Sequence, residues 1–221
     1  MQQIDHRVIK LVVGLIAVFM ASFMQLMAGE PLASISDSYH HSARDWFVGL
    51  LFAIAALFLS FSGENRFERT LTLAASFLAA VVAIAPCTCG GVTTAVSALH
   101  FPASACLFAI LGYFCWRFRK TAKLKVNRYP QARIRVHVYE LCFAGMVISW
   151  VMAAVYFAAP TAINAAFPAY VFWLEALGLV SFGFSWLAAS RVLPVITNRR
   201  ERFRLHSSQA PDDFELNAPK R

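Results

Sequence analysis

FPAYVFWLEALGLVSFGFSWLAAS, residues 167–190, holds a single ionisable side chain, Glu175, among its twenty-four residues. A hydrocarbon core about 30 Å thick takes roughly 20 helical residues at about 1.5 Å each, so this stretch is long and apolar enough to cross a bilayer. Five further windows of similar character lie upstream, at about 8–27, 46–62, 70–85, 101–116 and 138–159. None shows the strict apolar–polar alternation of a membrane strand, and their Gly and Ala content suits close helix packing. The expected fold is all-α: a polytopic bundle of six transmembrane helices within residues 1–197. The polar tail, 198–221, carries too little apolar material to fold alone and is expected to be disordered.

Composition agrees. Of the 221 residues 59% are hydrophobic and only 14% charged, against about 25% charged in soluble domains. A water-soluble globular domain is thereby excluded. The formal net charge is nevertheless +8, and where the cations sit gives that number its meaning. With six spans, 19 of the 20 Lys and Arg fall on one side, in the N-terminal segment, the span two–three turn, the connection 117–135 and the tail; Arg44 is the exception. The positive-inside rule makes that side, and both termini, cytoplasmic. The first span resembles a signal peptide in its flanking Arg7 and Lys10, but its apolar run exceeds a signal core and cleavage would put the other spans out of register with the charges. It reads as an uncleaved helix in an inner or plasma membrane protein.

On the opposite face polarity is concentrated in one segment. Glu30 to Asp45 contains three acids, two histidines, four serines and a tyrosine. Ser42 fits an N-cap for span two, with Asp45 at the third helical position closing a capping arrangement. A second reading joins Ser36, Asp37, His40, His41, Arg44 and Asp45 to His100, which opens span four, and to Glu175 inside span six. Eight residues beyond Phe167, Glu175 lies roughly 12 Å below the helix end. A carboxyl at that depth needs a partner in the bundle interior. The candidates by depth are His40, His41, Arg44, Asp45 and His100, giving one outward-facing polar cluster.

Three uses of such a cluster remain open: a polar network holding helices together, a lipid or small-ligand pocket, or a metal site. His40, His41, Asp45 and His100 are ligand types that suit zinc, although no HxxxH or HExxH spacing supports it. Arg44 beside Asp45 suits an ion pair or a phosphate. Cys87 and Cys89 form a C-x-C that reads either as packing or as a labile thiol pair, while Cys106, Cys115 and Cys142 read as packing residues. Glu140 is expected to reach the interface or pair with Arg133 or Arg135. The basic connection 117–135 lacks a nucleic-acid module and is expected to attract anionic inner-leaflet lipid.

Several motifs resemble a known family. Ile35-Ser36-Asp37 before span two, a histidine opening span four, and Glu175 followed by Phe182-Gly183-Phe184-Ser185-Trp186 are similar to the DRAM-type six-span membrane proteins; Ser38 to Gly49 and His100-Phe101 also resemble uncharacterised bacterial six-span proteins. Ala43-Arg44-Asp45 stands where the animal proteins have Pro-Glu. The resemblance implies membrane or lipid handling without a mechanism. A more distant likeness, to ceramidase- and adiponectin-receptor-type hydrolases, rests on Ser36, His40 and Asp45 and would imply a metal-assisted lipid amidase or esterase. That family's late HxxxH is missing, and the chain has six spans rather than seven.

Overall fold

The computed structural model describes residues 6–61, 63, 65–88, 94–124 and 131–192. The tail 198–221, Cys89, and Lys125 and Arg128 of the basic connection lie outside the described residues. Among these residues seven α-helices follow one another: α1 His6–Ala28, α2 Arg44–Ser60, α3 Arg66–Ile84, α4 His100–Lys123, α5 Gln131–Ala158, the short α6 Pro160–Ala166, and α7 Tyr170–Ser190. Two short 3₁₀ turns, Ser36–His40 and Ser97–Leu99, lie between them, and no strand occurs among the described residues. Five helices, α1, α3, α4, α5 and α7, are long and apolar enough to cross a membrane, consistent with a helical membrane protein. At 17 residues α2 is the shortest of the long helices.

The long helices close into a ring in which α1 packs on α2, α2 on α3, α3 on α4, α4 on α5, α5 on α7 and α7 back on α1. Of α1, α3, α4, α5 and α7, α7 is the best enclosed and α5 the least, with 61% and 22% of their apolar windows buried. Small residues let α7 sit so deep. Carbons added at Gly14 and Gly183 would each come within 2.9 Å of the other's carbonyl oxygen, so the backbones of α1 and α7 meet without side chains between them, as at membrane helix crossings built on small residues. Farther along, Trp186 is fully buried, its ring centroid 5.2 Å from that of Phe182, 5.3 Å from Phe61 and 5.4 Å from Phe58. Large apolar side chains also point outward, among them Phe19, Leu26, Leu59, Phe77 and Leu141.

The bundle has two chemically distinct ends. At the basic end, the N-cap Asn65 accepts from Glu68 N while its own amide donates to Glu68 Oε1 at 3.2 Å, a local arrangement akin to a capping box. Glu68 is buried and also receives Arg117 Nε at 2.7 Å, tying α3 to α4. Glu140 pairs across to α4, with Lys123 at 2.9 Å and Arg119 at 3.5 Å, partners the sequence reading did not name. Helical spacing puts Glu140 opposite the last turns of α4, which a reading of the nearest charges in sequence misses.

At the other end the chain between α1 and α2 folds inward. Gly29, with φ +71°, ends α1 in the left-handed conformation that glycine tolerates. Leu32 and Ile35 then insert among Met20, Met24, Phe47, Leu51 and Phe172. This segment plugs the end of the helix ring.

Candidate functional site

Helix ends leave backbone donors and acceptors without intrahelical partners, and in an apolar surround each must be satisfied. The plug segment supplies many of those partners. Phe172 N, in the first turn of α7, donates to Ala33 O at 2.9 Å. Ser42 Oγ donates to Met27 O at 2.8 Å, at the last turn of α1. At the end of α3, His40 Nε2 donates to Cys87 O at 2.9 Å, and Tyr39 Oη lies 3.4 Å from Ile84 O. His100, at the start of α4, completes this set by donating from Nδ1 to Ala85 O at 2.6 Å. A carbonyl cannot donate, so these contacts place a proton on His40 Nε2 and on His100 Nδ1.

Glu175 anchors the plug itself. Its Oε2 accepts from Ile35 N at 2.6 Å, and the Ser36 amide lies beside the same carboxyl group. These are the first amides of the 3₁₀ turn Ser36–His40, where backbone donors lack partners of their own. The side-chain partners expected for Glu175 are therefore not the ones it has, and of the predicted set only Ser36 reaches it, through its backbone. Glu175 is also shallower than the sequence suggested. Because α7 begins at Tyr170 rather than Phe167, five residues rather than eight separate it from the helix start, roughly 7.5 Å along the axis.

Below the plug, Ile35, Ser36 and Glu175 border a cavity of about 50 Å³ whose other walls, apart from Ser104, are apolar and include Met20, Leu51, Phe108 and Phe182. That volume admits water but not a lipid, since pockets for drug-sized ligands run to about 300–1,000 Å³.

Other predicted residues take local roles. Asp37 Oδ2 accepts from Ala33 N at 3.2 Å, and Ser34 Oγ accepts from Asp37 N at 2.9 Å. His41 sits between two acids, with Nδ1 2.7 Å from Glu30 Oε1 and Nε2 3.4 Å from Asp37 Oδ2. Partial desolvation works against its charged form, but Glu30 and Asp37 outweigh it and hold its pKa above the usual 6.5. Ser42 does not cap α2: the N-cap is Ala43, which makes no side-chain cap bond, and the Ser42 hydroxyl has turned back to α1. Asp45 does lie in the first turn of α2, as expected.

Ser36, His40 and Asp45, the loose hydrolase-like set, are engaged separately: Ser36 through its amide at Glu175, His40 at Cys87 O, and Asp45 in an exposed position on α2. Among the described residues no group of three His, Cys, Asp or Glu side chains is placed to hold a metal ion, so His40, His41, Asp45 and His100 are not gathered into a zinc ligand set. Cys87 is disulfide-bonded.

Arg44 and Asp45 lie at the edge of the plug. They border an open groove of about 360 Å³ between the start of α2 and the end of α3, with Tyr39, Val48, Gly49, Ala83 and Ile84. Arg44 leans on Tyr39, its guanidinium 4.6 Å from the ring centroid and Nη2 donating to Tyr39 Oη at 3.1 Å. A carbon added at Gly49 would meet nothing within 4 Å, so the groove floor is empty.

The chain matches no protein-family profile, no curated protein and no solved structure. Its functional reading rests on its own residues.

Sequence reasoning missed Tyr39, which serves both the plug and the groove. It also missed Gln25, whose Nε2 donates to Glu30 O at 2.6 Å and whose Oε1 accepts from Leu32 N at 3.3 Å. The apolar pair Leu32 and Ile35, three residues apart in a polar stretch, is the signal that could have marked the plug as buried.

Proposed function

We propose that the protein is a six-span integral membrane protein of an inner or plasma membrane, with both termini cytoplasmic, that handles membrane lipid at its outer end. In this reading α2 is the sixth span: 17 residues give about 26 Å, and exposed Trp46 beside Arg44 and Asp45 marks its interfacial start. The basic end faces the cytoplasm, and the connection 117–135 lies against anionic inner-leaflet lipid.

The observation that carries the lipid reading is the division of labour at the plug end. Ser36, Asp37, His40, His41, His100 and Glu175 are engaged with backbone groups or with neighbouring carboxylates, and the cavity beneath them is small. Arg44 and Asp45 instead border an open groove of about 360 Å³. Its floor and walls at Val48, Gly49, Ala83 and Ile84 are apolar, which suits an acyl chain beneath a polar headgroup. The likeness of several motifs to DRAM-type proteins supports the same class of function. Native mass spectrometry of the purified protein tests it: wild type is expected to carry bound phospholipid, and Gly49→Leu, which fills the floor, to lose it. Equal lipid retention by both proteins would overturn the reading.

A further inference from the structure

Resting on that reading, we infer that the groove between α2 and α3 selects a zwitterionic phospholipid, whose phosphate sits on Arg44 and whose ammonium group sits on Asp45. The chemistry follows from how two adjacent, opposite charges are displayed. Consecutive residues on a helix point about 100° apart and do not face each other. Arg44 is turned toward Tyr39, by its hydrogen bond and by its place over the ring, and both side chains border the same groove. A guanidinium has five N–H donors, and the bond to Tyr39 Oη uses one of them. The others suit phosphate oxygens, for which the planar fork of Arg is well shaped. Helix α2 also begins here without a side-chain cap, and the positive end of its dipole favours an anion at the same place.

Asp45 makes the site selective. A carboxylate beside a phosphate site is a liability unless the ligand brings its own cation, because like charges repel. A headgroup carrying phosphate alone would meet this carboxylate uncompensated, whereas one with an ammonium a few bonds from its phosphate satisfies both residues. Val48 and Gly49 lie four residues beyond Arg44 and Asp45, a rise of about 6 Å, and line the groove together with Ala83 and Ile84. Going down the groove, the order is therefore charged rim and then apolar floor, the order of headgroup and acyl chain in a phospholipid. Free phosphate or a water-soluble zwitterion would leave that floor without a partner.

The test uses the full-length protein reconstituted in nanodiscs of equal parts dioleoyl phosphatidylethanolamine and dioleoyl phosphatidylglycerol, with retained lipid read by native mass spectrometry after mild detergent release. Wild type is expected to retain phosphatidylethanolamine over phosphatidylglycerol by about two- to fivefold, the range that one partly exposed ion pair supports. Asp45→Asn is expected to retain lipid but lose the preference, and Arg44→Gln and Gly49→Leu to lose the lipid. Thermal unfolding of each variant checks the fold, which the exposure of all three positions leaves unaffected. Arg44- and Gly49-dependent retention with no headgroup preference, or with a preference for phosphatidylglycerol, overturns the inference and leaves the lipid groove standing. Retention indifferent to both Arg44→Gln and Gly49→Leu overturns the groove itself, and retention of inorganic phosphate with no lipid overturns both.

Discussion

The amide of Ile35 donates to Glu175 Oε2 at 2.6 Å, joining residues 140 positions apart in the chain. Through this contact the one carboxyl in α7 holds the start of the 3₁₀ turn Ser36–His40. That turn in turn brings Tyr39 and His40 to the carbonyls at the end of α3. A buried polar group that would otherwise be a burden is thereby used to close one end of the bundle.

Removing that acceptor leaves at least one backbone donor unpaired in a buried place. Glu175→Ala is expected to cost about 1–3 kcal/mol, from the loss of the hydrogen bond and the desolvation of the freed amide. Glu175→Gln keeps an acceptor oxygen and is expected to cost less than half as much. Denaturation of the purified protein in mixed micelles checks the order of the two variants.

His100 and His40 make the same kind of bond to carbonyls on either side of Pro86, so they should respond alike to substitution. Asn in place of His100 retains a donor near the Nδ1 position and is expected to be milder than Ala, which leaves Ala85 O unpaired at about 1–3 kcal/mol. Thermal unfolding of the two His100 variants tests this. Equal losses from Asn and Ala would show that the ring's packing, rather than its donor, matters at this position.

His41 gives the plug a pH dependence whose sign is fixed by its two carboxylate neighbours. Its folded pKa lies above 6.5, so its stabilising contribution is fully present below about 6.5, the unfolded value, and is lost as pH rises through the folded value. The exposed Glu30 partner keeps the contribution small. Amide protection in residues 30–41, corrected for the intrinsic rise of exchange with pH, is expected to fall between pH 6 and pH 8 in wild type, and His41→Gln to remove that fall.

Gly183 and Gly49 should separate a packing glycine from a vacant one. A carbon at Gly183 meets Val18 Cγ2 at 2.7 Å and Val18 N at 2.9 Å, so Gly183→Ala is expected to destabilise by about 1–3 kcal/mol. Gly49→Ala, with open space around it, is expected to stay within about 0.5 kcal/mol of wild type. Unfolding midpoints of the two variants compare them directly.

The helices were legible because apolar windows of bilayer length leave a signal that needs no tertiary information, and His100 marked the start of α4 correctly. The plug was legible only in part. Its polar residues stood out by type, but Glu175 is satisfied by backbone amides, which every residue has and no residue pattern reveals. Ser42 looked like an N-cap by position, yet the carbonyls left at the end of α1 claim its hydroxyl. The start of α7 was misplaced by three residues because Phe167-Pro168-Ala169 is as apolar as the helix that follows. The groove was half visible, in Arg44 and Asp45, while its empty floor at Gly49 depends on how α2 and α3 approach each other.

Orientation has its own check. Cysteine placed at exposed Glu30 should be labelled from outside intact cells by an impermeant reagent, and cysteine at exposed Lys123 only after the membrane is opened.

The most direct measurement of the plug is hydrogen exchange at the amides of Ile35 and Ser36 in the lipid-embedded protein, wild type beside Glu175→Ala. Slow exchange in wild type that becomes fast in the variant, with the amides of central α7 unchanged, is the predicted result. Fast exchange at these two amides in wild type, or protection that survives the loss of the Glu175 carboxylate, would contradict it.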